Sequence, residues 1–169
     1  MKPILRGLFC LAIVSPLALP QESGAAATGD QAFVDMAAQT DMLEAHLGQM
    51  AADQAESQAV KDYAQMLVTD HTADYNQITA VATKAGLVVP KGLDKAHEKE
   101  LAPFEKLKGA AFDRKYVRAM VSGHEAAIKA YNKEAANGQS ADVKAYATQT
   151  LPTLEKHKTG AQDLLKSKK

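Results

Sequence analysis

The chain has 169 residues, 46% hydrophobic and 24% charged, with 20 basic side chains against 20 acidic ones and a formal net charge of zero. Nothing in that balance points to a nucleic-acid partner, and the length suits one globular domain with a real core. Tryptophan is absent and glycine is sparse, while alanine recurs through every periodic stretch, which favours helix over sheet.

Lys2 and Arg6 precede the apolar run Gly7 to Leu19, and the small residues Gly24 to Ala27 offer an A-x-A type cleavage point. The run is too short for a comfortable transmembrane helix. The expectation is an export signal over residues 1–27, cut after Ala25 or Ala27, leaving a periplasmic mature chain without a transmembrane segment. The one cysteine, Cys10, lies inside this signal behind Phe9, a poor fit to a lipoprotein acceptor, so the mature chain would carry no thiol ligand and no disulfide.

From Asp30 the periodicity predicts an all-α domain over residues 28–165, made of four long helices with one long connection. The first, about Asp30 to Ala55, sets Phe33, Ala37, Thr40, Glu44, Leu47 and Ala51 on one side, with Asp30 as its N-cap. The second starts near Ser57, which can cap it, and ends near Ala85, where Gly86 supplies the turn. Its stripe reads Val60, Tyr63/Ala64, Leu67, Asp70/His71, Asp74/Tyr75, Ile78, so an apolar face carries acids and a histidine.

The connection Gly86 to Gly109 begins extended through Pro90 and continues from Asp94 as a shorter amphipathic segment interrupted at Pro103. It can span about 40 Å, enough either to return along a whole bundle or to cap one end. The third helix, about Ala110 to Ala136, turns Phe112, Tyr116, Met120, His124, Ala127 and Tyr131 inward. The fourth, about Ser140 to Leu165, does the same with Val143, Tyr146, Leu154, His157 and Ala161, and Pro152 is expected to kink it a turn before His157. Residues 166–169 read as a basic tail. VKDYA at Val60 is echoed by VKAYA at Val143, and a core-facing histidine follows each.

Each long helix thus offers at least one ligand-type side chain: Glu44, Asp70/His71, His124/Glu125 and His157. Imidazole and carboxylate together suit a divalent transition metal, and facing helices build such sites in bundle interiors. If the connection crosses the bundle, the heights of these residues along the axis differ by roughly 9 Å, which allows one shared site without requiring it. A diiron oxidase would want Glu-x-x-His on two helices, yet Val68 and Val121 stand three residues before His71 and His124. His46 and His97 lie off the stripes and are expected in solvent.

The stretches FVDMAAQTDMLEAHLG, VKDYAQMLVTDH, GAAFDRKYVRAMVSGHE and VKAYATQTLPTLEKH together resemble an exported bacterial family called domain of unknown function 4142, often labelled putative outer membrane protein. The resemblance covers nearly all of the expected mature chain. It implies a ferritin-like four-helix bundle in the cell envelope, with a partly helical connection between helices 2 and 3, and it implies no activity. The outer-membrane label conflicts with a sequence that has no barrel pattern. The leading reading is a periplasmic helical protein, not an enzyme, that binds a divalent metal between Glu44, Asp70, His71, His124 and His157. The alternative is a structural or stress-related envelope interaction protein without metal, whose polar core only fixes helix register.

Overall fold

The structure, a computed structural model, describes residues 24–167, and these are helical with no strand among them. Two hairpins of long helices make up the body: α1 (Gly24–Gln54) with α2 (Gln58–Lys84), and α4 (Gly109–Asn137) with α5 (Ala141–Ser167). A short α3 (Lys95–Leu101) and a 3-10 turn (Ala102–Phe104) lie in the connection between them. The expected export signal lies largely outside the described residues.

The ends of the helices fix the topology. Lys84, at the end of α2, pairs with Asp142 at the start of α5 at 2.8 Å. Asp113, in the first turns of α4, accepts hydrogen bonds from the backbone N–H groups of Glu56 and Ser57, between α1 and α2. Neighbouring helices are therefore antiparallel, and the connection must travel the length of the hairpins, so it crosses the bundle and does not cap one end.

Glutamines on α1 hold the connection along that path. Gln31 donates to the Val88 carbonyl at 2.7 Å and accepts from the Val88 N–H at 3.0 Å. Gln39 does the same to the Gly92 carbonyl and the Asp94 N–H. Each amide pairs with an extended backbone as a neighbouring strand would, satisfying groups that would otherwise need water. Gln54 reaches the Glu105 carbonyl further along, and Tyr75 of α2 donates to Pro90. This cover explains why Ala38, Gln39 and Leu43 are buried on α1 beside the predicted stripe.

The element boundaries match the periodicity closely, with two corrections at the caps. Asp30 does not start α1, which begins at Gly24. Its carboxylate instead accepts from the N–H groups of Gln139 and Ser140 at 2.9 and 2.7 Å, satisfying orphan donors at the start of α5. Ser57 stands at the N-cap of α2, but its side chain makes no cap hydrogen bond; Asp113 from across the bundle instead accepts from the Ser57 and Glu56 N–H groups just ahead of the helix. Gly86 behaves as expected: with φ at 72° it lets the Leu87 N–H return to the Ala82 carbonyl at 2.8 Å. α5 runs unbroken through Pro152.

The core consists of two apolar clusters at different heights. One gathers Leu47, Leu67, Phe104, Phe112, Tyr116 and Met120; the other gathers Phe33, Ile78, Tyr131, Val143, Tyr146 and Leu154. The two hairpins also repeat one another. Asp30 and Asp113 each hold the start of a helix in the opposite hairpin, and Phe33 meets Tyr146 edge-on as Tyr116 meets Tyr63. All these pairs are related by one constant offset along the chain, the same that relates VKDYA to VKAYA.

Candidate metal centre

Between the two apolar clusters lies a polar layer to which every long helix contributes. Asp41 and Glu44 come from one face of α1, Asp70, His71 and Asp74 from α2, His124 from α4 and His157 from α5. Glu44, His71, His124 and His157 are no more than 3% exposed. Burial at that level is costly for polar groups unless they are partnered.

The three imidazoles face one another across the axis, with ring centroids 5.2 to 5.7 Å apart. One ring nitrogen from each lies within 4.8 Å of the others. Glu44 Oε2 joins them, at 2.9 Å from His71 Nε2 and 3.4 Å from His124 Nε2. Yet Glu44 Oε2, His71 Nε2, His124 Nε2 and His157 Nδ1 are all buried without a well-formed hydrogen bond. Close approach without aligned donors is the arrangement of atoms aimed at a shared centre more than at each other.

The remaining ring nitrogens are all engaged. His71 Nδ1 lies 2.8 Å from Asp41 Oδ1, His124 Nδ1 donates to the Met120 carbonyl at 2.8 Å, and His157 Nε2 lies 2.9 Å from Asp70 Oδ2. A proton held on each of these nitrogens leaves the other nitrogen of the ring a lone pair, which is how outer carboxylates and carbonyls orient metal-binding histidines. Tyr63 adds a bond from its hydroxyl to the His157 carbonyl at 2.9 Å.

Electrostatics make the layer self-balancing. Burial alone would lower the His71 pKa, but the charge of Glu44, the hydrogen bond to Asp41 and the 2.9 Å approach of Glu44 outweigh it and hold the imidazole up at about 10. Burial also works against the Glu44 carboxylate, but His71, His124 and His157 together keep it below its ordinary value. Desolvation pushes Asp41 up to about 7 despite its bond to His71. His157 is pushed down to about 4, by burial first and by the neighbouring imidazoles, against the pull of Asp70. The layer therefore keeps a proton on His71 beside the Glu44 carboxylate.

Two cavities reach this layer from opposite sides. One of about 310 Å³ opens between α2 and α5, is lined by His71 and His157, and carries Asp70, Asp74 and Thr150 on its walls. The other, about 880 Å³, runs between α1 and α4 and meets the layer at Glu44. Gly123 makes that meeting close: a Cβ on it would stand 3.2 Å from Glu44 Oε1.

The family model for the domain of unknown function DUF4142 matches residues 16–164. The chain belongs to this family. No curated protein and no solved structure gave a significant match.

In this DUF4142 chain Glu44, His71, His124 and His157 come together as the sequence allowed. Asp70 stands behind His157, with its side chain 35% exposed, and Glu125 is exposed on α4 outside the layer. His46 is exposed as expected. His97 is not simply solvated: it is 23% exposed, pairs with Asp94 at 2.8 Å and lines the larger cavity. Sequence reasoning missed Asp41, which lies about one turn before Glu44 and beside the predicted stripe, and is 2% exposed. The Met120 carbonyl had no sequence signal, because any residue supplies one.

Proposed function

We propose that this DUF4142 protein is a ferritin-like bundle that binds one divalent transition-metal ion through His71, His124, His157 and Glu44. The observation that carries the reading is the set of four buried atoms, three imidazole nitrogens and one carboxylate oxygen, left without aligned partners while the opposite nitrogen of every ring is engaged. Imidazole-rich sites with one carboxylate suit zinc, copper, iron or nickel better than calcium or magnesium. Four protein ligands fill a tetrahedral shell, and catalytic sites generally keep a position open, so the donor set favours holding an ion over turning over a substrate. The 310 Å³ cavity supplies an entry path with Asp70 and Asp74 on its walls, suited to a cation.

Export to the periplasm belongs to the same proposal and rests on residues 1–27: a basic start, a short apolar run and small residues before the domain. Mass spectrometry of the protein from a periplasmic fraction should find a chain beginning near Ala26 or Thr28. An intact Met1 would overturn this part.

A second reading has its own observation. His71 held protonated between Glu44 and Asp41 closes the charge balance without a metal, so the layer would serve only to fix helix register. Titrating zinc, copper, iron and manganese into chelator-treated protein without a His tag separates the two. The metal reading expects saturable binding of one ion per chain, lost in His124→Ala and kept in His46→Ala. Absence of saturable binding for all four metals would leave the register reading.

A further inference from the structure

The larger cavity has features that the metal does not use. Its walls on α4 run from Ala111 to Ala130, about 28 Å at the rise of an α-helix, so it is a long groove more than a round pocket. Its sides are mostly apolar: Met36, Leu43 and Leu47 on α1 face small side chains of α4, with Phe104 closing one end, and Thr40, Ser122 and the Glu44 carboxylate are the polar exceptions part-way along. The small residues on α4 make the groove, because larger ones would fill the space beside α1. Met36 and Met120 give it walls that adapt to a chain of variable shape.

Charge is distributed unevenly along this length. Arg114, Lys115 and Arg118 all lie at the end near the start of α4, whereas the walls beyond Gly123 are alanine and methionine with no cation. None of the three takes part in a salt bridge among the described residues, and Lys115 instead sits over the Phe104 ring at 5.1 Å. Glu100 and the partly covered His97 are the other titratable groups at that end, so positive charge prevails there.

We propose that this groove binds a long-chain fatty acid, with the carboxylate at Arg114 and Arg118 and the acyl chain lying along α4 toward Ala130. A cavity of about 880 Å³ is of the size of pockets that enclose small organic ligands, and its apolar walls with a few charged groups at one end fit a linear amphipathic anion. A bare metal cation has no reason to prefer this side, because the rim repels it. The proposal does not need the metal, since Arg114 and Arg118 lie outside the polar layer and Glu44 is the one residue of that layer that the groove shares.

The test is displacement of a dansylated fatty acid by palmitate and by hexadecanol, which has the same chain without the charge, in chelator-containing buffer with the full chain. Palmitate should bind saturably and more tightly than hexadecanol by about tenfold. The double variant Arg114→Glu/Arg118→Glu should remove that difference while leaving hexadecanol unchanged. Ala126→Phe, a substitution at an exposed groove position, should weaken both, and Lys129→Glu, on α4 outside the groove, should alter neither. No saturable palmitate binding below its micelle concentration would overturn the proposal, and so would a preference for palmitate that survives the double charge reversal.

Discussion

Glu44→Gln is the most informative single perturbation, because Glu44 Oε2 lies near two imidazoles and is the one carboxylate oxygen among the four convergent atoms. The substitution preserves shape and removes the charge. In the metal-free protein it leaves the buried His71 with Asp41 alone, and breaking a buried ion pair from one side costs about 3–5 kcal/mol. The sign of the pH dependence follows from His71. Its pKa is raised from an ordinary 6.5 to about 10 in the fold, so the stabilisation is fully present below about pH 6.5 and is lost as pH rises through 10. Wild type and Glu44→Gln should therefore differ most near pH 6.5, still differ strongly at pH 7, and converge above pH 10. With zinc at a hundredfold excess over its dissociation constant, wild type should gain about 2.7 kcal/mol by mass action, and Glu44→Gln much less at the same zinc concentration. Urea unfolding at pH 7 and pH 10.5, with and without zinc, measures all four states. A variant as stable as wild type at pH 7 would refute the ion-paired layer, and an equal zinc-induced gain in both proteins would refute Glu44 as a ligand.

Asp70→Ala should lower metal affinity by about 10- to 100-fold, because His157 loses the carboxylate that holds its ring, while the metal-free melting temperature changes little at this part-exposed position; competition with a chromophoric chelator reads it. Glu134, near Asp30 at the α4–α5 corner, has its pKa raised from 4.5 to about 7 by burial and by Asp30. For an acid shifted in this direction, the fold favours the protonated form, so wild type loses stability as pH rises from 4.5 through 7. Glu134→Gln should flatten that slope, stabilising the protein at pH 8 and leaving it nearly unchanged at pH 4.5 in thermal melts. Pro152→Ala, at an exposed position inside α5, should raise stability by about 1–3 kcal/mol by restoring a backbone donor and removing the clash with the preceding turn; an unchanged denaturation midpoint would count against this account.

What the sequence made legible followed the number of neighbours each helix has. α2, α4 and α5 bury close to one stripe apiece, so the periodicity of Val60, Leu67, His71 and Ile78 named the core face directly. α1 is covered by its neighbours and by the connection as well, so a single stripe omitted Ala38, Gln39, Asp41 and Leu43. Caps were harder for a different reason. A local rule assigns Asp30 and Ser57 to the helix that follows each in sequence, whereas Asp30 and Asp113 serve helix starts far away in the chain, a pairing that only packing reveals. The axial spread of roughly 9 Å among the ligand positions, taken from the rise per residue, overstated their separation. It measured backbone height alone, and the reach of histidine and glutamate side chains brings three ring nitrogens within 4.8 Å.

The repeat between the hairpins explains why there is one candidate centre where two would be symmetric. At the offset that relates Asp30 to Asp113 and Tyr63 to Tyr146, Asp41 corresponds to His124 and Asp74 to His157, so the first hairpin supplies acids where the second supplies imidazoles. Glu44 corresponds to Ala127 and His71 to Leu154, so the counterparts of these two proposed ligands are apolar. Tyr146 still donates to Asp74 at 2.8 Å, in the relation that Tyr63 has to the His157 backbone. The scaffold is thus retained on both sides while the donors are concentrated on one. Asp41 is buried and Asp74 partly buried, both with raised pKa values, Asp41 bonded to His71 of the candidate centre and Asp74 facing the cavity that leads to it.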